Sequence, residues 1–147
     1  MASIARRIAG CFLKKDYEVD TGLVVAGGLL HDLGRARTHN VDHGVVGASM
    51  ARELGLSDKI VRIIERHIGG GIPAEEAARV GLPVLDYLPI SLEEKIVAYG
   101  DKLVDRGREV DISVTLGQYE KQFGMGHPAV LRLQALHDEI SGIIEAE

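Results

Sequence analysis

The chain has 147 residues, 46% hydrophobic and 27% charged, a balance that excludes intrinsic disorder and fits one domain over residues 1–147. With 17 basic against 22 acidic residues the net charge is −5, and there is no Trp, so no polymeric nucleic acid is expected as a partner. A lone cysteine, Cys11, excludes an internal disulfide, and no apolar run nears the roughly 18 residues of a bilayer span, so a soluble, cytoplasmic protein with no membrane partner is expected.

Ile4, Ile8, Cys11 and Phe12 recur at helical spacing and predict a first helix over residues 2–15. Asp20 and Thr21 offer cap chemistry for a second through Leu23–Leu30, ending near Gly34; both of its faces are apolar, which predicts a central position. A third helix, 42–54, carries Val46, Met50 and Leu54 on one stripe. Ser57 caps a fourth whose Ile60, Ile63 and Ile64 face inward until Gly69, Gly70 and Gly71 stop it. Pro73, Pro83 and Pro89 mark 69–91 as loop, with one short helix at 74–80. Ser91 and Glu94 form a capping box for a long helix to about 106. The stretch from Gly117 to Gly126 is poorly defined, and Pro128 opens a last helix with Leu133, Leu136, Ile140 and Ile143 on one side. No β alternation is visible, so the fold class is all-α.

Several polar residues stand on stripes that are otherwise apolar. His31-Asp32 closes the most hydrophobic helix, His43 shares a face with Val46, Gly47 and Met50, and His67 continues the Ile60–Ile64 stripe. Asp101 falls mid-helix on the Val97–Val104 face, where Asp has poor propensity and burial of its charge is costly. Taken singly, each has an ordinary explanation: a satisfied core histidine, or an aspartate in a buried ion pair with Arg66 or Lys102. Taken together, one or two divalent cations would satisfy all of them at once.

The run Leu29-Leu30-His31-Asp32-Leu33-Gly34-Arg35 resembles the signature of the HD-domain metal-dependent phosphohydrolases. His43 and His67 stand where two-metal members carry further histidines, and Tyr99-Gly100-Asp101-Lys102-Leu103 is similar to the distal Asp motif. The likeness runs from about Ile4 to Asp105, and further details resemble small stand-alone archaeal HD proteins. It implies a compact HD-like helical bundle. It also implies a hydrolase that attacks a small phosphorylated, nucleotide-like monoester or diester with metal-activated water.

On that resemblance His31, Asp32 and Asp101 are expected to hold one metal, with His43 and His67 on a second and Asp32 bridging. Mixed imidazole and carboxylate donors suit Mn, Fe, Co, Ni or Zn. Arg35 and Lys102, with Asp32, are the expected catalytic residues; Arg35, Lys102, Arg66 and the loop residue His39 are candidates to touch substrate phosphate. His137-Asp138 repeats the dipeptide without its apolar frame and is expected at the surface; His127 is expected in a turn. The rival reading is a degenerate HD fold that senses a nucleotide or binds a partner without turnover. The family places one more ligand histidine on its first helix. Residues 1–30 hold none, so the expectation is a truncated first helix with that ligand upstream of Met1.

Overall fold

A computed structural model describes residues 1–146. The helices are α1 (Ala2–Lys14), α2 (Thr21–Leu30), α3 (His43–Glu53), α4 (Asp58–Glu65), α5 (Ala74–Arg79), α6 (Leu92–Asp101), α7 (Ile112–Phe123) and α8 (Pro128–Glu145). A 3-10 turn at Leu33–Ala36 follows α2, and a short hairpin, β1 (Val104–Asp105) and β2 (Arg108–Glu109), follows α6. The protein is therefore all-α apart from that hairpin.

Local chemistry explains most helix starts. Asp20 accepts from the Leu23 amide, Ser57 from Ile60 and Asp111 from Ser113, each relieving one orphan N–H of a first turn. The expected Ser91–Glu94 capping box is present at α6. His127 is more than a turn residue: its Nδ1 accepts from the Ala129 amide at 3.1 Å and caps α8, with Pro128 in the first turn.

The main core is built where α1, α2, α6 and α8 meet, around Ile4, Ile8, Phe12, Val24, Ile96 and Leu133. A second cluster joins α3 to α4 through Ala48, Ala51, Ile60, Val61 and Ile64. A third, Ile72, Ala77, Leu82 and Tyr87, closes the proline-bearing segment, with Ile72 and Tyr87 paired as an isolated bridge.

Four expectations need correction. Residues 112–123 form α7 rather than an irregular stretch: Asp111 caps it, and Ile112, Thr115, Leu116 and Tyr119 lie on one face. The helix after Ser91 ends at Asp101, so Asp101 is terminal and not mid-helix, and the chain turns into the hairpin with Arg106 and Gly107 both at positive φ. α4 stops at Glu65, ahead of the glycines, so His67 lies beyond it. Finally, α2 is buried on one side only, since Leu29 is 72% exposed.

Candidate metal centre

Helix ends gather the ligand-type residues. His31 is the C-cap of α2, His67 follows the C-terminus of α4, Asp101 is the last residue of α6 and His43 the first of α3. Helix C-termini carry partial negative charge, so the ends of α2, α4 and α6 together favour a cation. Gly34 brings these elements together. A Cβ there would stand 1.9 Å from the carbonyl oxygen of His43, so only glycine lets the turn after Asp32 lie against the start of α3.

Each imidazole is fixed in the same way. Nδ1 of His31, His43 and His67 donates to the carbonyl oxygens of Gly28, Asn40 and Ile64, at 2.7, 2.8 and 2.6 Å. Each acceptor lies three residues before its histidine. That turns each Nε2 into the cluster, those of His43 and His67 toward Asp32 and that of His31 toward Asp101 and Asp32. Nε2 of His43 and Nε2 of His67 are 3.1 Å apart. With both rings neutral and protonated at Nδ1, a cation would satisfy the two Nε2 lone pairs.

The carboxylates complete the cluster. Nε2 of His31 lies 3.2 Å from Asp101 Oδ1 and 3.3 Å from Asp32 Oδ2, and Asp32 Oδ1 lies 3.4 Å from Nε2 of both His43 and His67. Donors about 2.0–2.2 Å from a common ion and roughly 90–110° apart stand about 3.0–3.5 Å from one another, so these separations fit ligation. His31, His67 and Asp101 form one ligand-competent group, and Asp32, His43 and His67 another. His67 belongs to both, whereas the sequence reading assigned it to one site with His43.

The electrostatics agree with the chemistry of the donors. Burial pushes the His67 ring toward its neutral form. Burial acts on His31 too, but its hydrogen bonds to Asp101 and Asp32 outweigh it and raise its pKa to about 9. Burial opposes ionisation of Asp32 and Asp101, yet the histidines and, for Asp101, the Lys102 charge hold both well below the usual carboxylate range.

The other candidates divide. Arg35 is at the rim, half exposed, with Nε 3.4 Å from Asp32 Oδ1. His39 is exposed in the loop before α3 and outside the cluster. Arg66 is turned away: its NH1 donates to Glu94 at 2.6 Å, two helical turns before Asp101 along α6. Lys102 is only 6% exposed and spends its three protons on His67 O, Ala98 O and Asp101 Oδ2, at 2.8, 3.3 and 2.7 Å. It has no donor left for a phosphate, so Lys102 is a support of Asp101 rather than a substrate contact. α1 gives no ligand; Met1 lies against Gly28 and Gly100, three residues before His31 and one before Asp101. His137 is not a ligand of this cluster; its Nδ1 lies 2.6 Å from the Tyr99 hydroxyl.

Residues 1–104 match the HD domain. The chain belongs to the HD domain family. It is 49% identical over 145 residues to an uncharacterised protein of Methanocaldococcus jannaschii, covering 99% of this chain and 86% of that one. It is 45% identical over 140 residues to a tRNA (cytidine(56)-2'-O)-methyltransferase of Picrophilus torridus, covering 95% of this chain but only 39% of the enzyme. A ribonuclease Y of Geobacter sulfurreducens is 34% identical over 120 residues, 78% of this chain and 22% of that protein. No solved structure matches. Among the described residues, no helix is long and apolar enough to cross a membrane.

Proposed function

We propose that this HD protein is a metal-dependent phosphohydrolase of a small, nucleotide-like phosphate ester. Its metal would be held by His31, Asp32, His43, His67 and Asp101. One observation carries the reading: three imidazoles, each locked through Nδ1, turn Nε2 into two ligand-competent groups that share His67, one with Asp101 and one with Asp32. A divalent transition-metal ion bound there supplies Lewis acidity, acidifying water and offsetting phosphoryl charge.

The chain's own groups do the rest. The carbonyls of Gly28, Asn40 and Ile64 fix tautomer and ring orientation. Lys102 holds one oxygen of Asp101 and leaves the other facing His31. Arg35 stands at the open side, where its guanidinium can take a phosphate oxygen. The lone Cys11 thiol is compatible with a cytoplasmic setting.

The likeness to ribonuclease Y favours a diester over a monoester. It also raises a second reading, that the substrate is RNA itself, since both kinds of named relative carry RNA in their names. The net charge of −5 weighs against that reading.

The test is metal analysis of the purified protein together with hydrolysis of an aryl phosphodiester, an aryl phosphomonoester and a short RNA. Metal-dependent diester cleavage, lost in His67→Ala and Asp32→Asn, is the expected result. Bound metal with no turnover of any of the three would instead favour a sensing or interaction module.

A further inference from the structure

The turn that carries His67 is tied to α6 at two points. Just before it, Arg66 NH1 donates to Glu94 Oε1 at 2.6 Å; just after its ring, the carbonyl oxygen of His67 accepts from Lys102 Nζ at 2.8 Å. Glu94 lies in the first turn of α6 and Lys102 is its C-cap, so the two ties are about 12 Å apart along the helix. Arg66 is in turn the C-cap of α4, where the helical hydrogen bonds run out and the backbone is easily displaced. Asp101, which shares a ligand-competent group with His67, ends the same α6. The ties therefore fix His67 against the element that presents Asp101.

The Arg66–Glu94 pair is made to hold one geometry. Glu94 is 5% exposed, and its carboxylate is oriented before Arg66 meets it, by the Ser91 amide at 3.3 Å and the Ile90 amide at 3.4 Å. The Arg66 side chain is mostly buried, and its Nε has no partner among the described residues. Desolvation offsets the attraction in a buried ion pair, and a buried N–H without an acceptor adds a further cost. Stability is thus a poor account of this pair, and the position it imposes is a better one.

We propose that Arg66 and Glu94 are positioning residues: their pair joins the end of α4 to the start of α6 and sets the backbone from which the His67 imidazole reaches the cluster. His67 belongs to both ligand-competent groups, so loosening this one turn loosens both. The effect on metal rests on the metal-centre reading; the effect on the ring does not.

The experiment compares three variants of the full chain. Glu94→Gln keeps the capping box, which glutamine also forms, but strands the Arg66 charge. Arg66→Met combined with Glu94→Gln leaves no charge to strand. Arg66→Lys keeps a charged donor for the one carboxylate oxygen that Arg66 uses. Zinc affinity is measured by competition with a chromophoric chelator. The His67 tautomer is read in the metal-stripped protein from imidazole proton–nitrogen correlation spectra. In the double variant the urea midpoint should recover from that of Glu94→Gln, yet zinc affinity should stay about 10–100-fold below wild type. The single Nδ1–H tautomer of His67 should also give way to a mixture, while Arg66→Lys stays near wild type in both measurements. Wild-type zinc affinity and a single tautomer in the double variant would overturn the proposal, because a merely structural pair would change stability alone. A wild-type chain that takes up no zinc would sink the metal-centre reading instead, and the tautomer would then decide the positioning role by itself.

Discussion

At position 102 an ammonium is buried with all of its protons donated inside the protein, to Asp101 and to the carbonyls of His67 and Ala98. Removing one partner of such a pair strands the other, so Lys102→Met should cost the metal-free protein about 3 kcal/mol in urea unfolding. A change within about 0.5 kcal/mol would mean that Lys102 is not the support of Asp101. The two aspartates also part company here. A buried carboxylate is costly, which by itself predicts that Asn at either position keeps or gains stability. Asp32 is 42% exposed at its side chain, so water screens its pairing with the His31 ring, and Asp32→Asn should cost less than Asp101→Asn while metal affinity falls more than about tenfold. Asp101→Asn should weaken metal similarly but also cost about 1–2 kcal/mol, because Lys102 loses its counter-charge. Parallel unfolding curves and metal titrations of the two variants make the comparison.

Among the elements, the 3-10 turn and the helix ends set the geometry of the cluster. Gly34→Ala would drive a Cβ into the carbonyl of His43, so it should destabilise by about 3 kcal/mol or more and weaken metal binding with it. Asp111→Ala is the contrasting case. It removes a cap from α7, far from the ligands, and should cost about 1 kcal/mol with metal affinity unchanged. Equal metal loss in both variants would show that general loosening, rather than the Gly34 contact, governs the site.

Across the whole molecule the cluster couples stability to pH and metal. In the metal-free fold His31 has a pKa near 9, against about 6.5 in an unfolded chain. Its stabilising contribution is therefore complete below pH 6.5 and is lost as pH rises through 9, an effect on the order of 3 kcal/mol. Asp32 and Asp101, held low, contribute above the usual carboxylate range and lose that contribution as pH falls through it. The buried, neutral His67 ring works the other way below about pH 6.5, where only the unfolded ring takes up a proton, so thermal melts of the stripped protein should peak near pH 6.5 and decline toward pH 9. Metal reverses the alkaline limb: it needs the neutral ring, so its affinity should climb over the same interval, and added Mn or Zn should raise the melting temperature most at pH 8–9. A stripped protein with a flat profile from pH 6.5 to 9 would show that His31 does not carry the charge.

The helical class was legible along the chain, because apolar residues at helical spacing and local cap chemistry are read over a few neighbours: Asp20, Ser57 and the Ser91–Glu94 box all stand where the pattern puts them. The sequence also marked His31, Asp32, His43, His67 and Asp101 as misplaced on apolar stripes, since the burial cost of a polar group is visible one residue at a time. Their gathering was left to tertiary structure. So was the division among the cations, where Arg35 stays half exposed at the rim beside Asp32, Arg66 goes to Glu94 and Lys102 is spent on Asp101. Those choices lie between groups 28 or more residues apart for Arg66, and between side chain and backbone for Lys102, where no local pattern can register them. The ends of α4 and α6, at Glu65 and Asp101, are hidden from the pattern for a related reason. The apolar stripes run on past the last helical residue, and only the packing of the turn after each helix, with His67 capping Ile64 and the hairpin following Asp101, decides where helix stops.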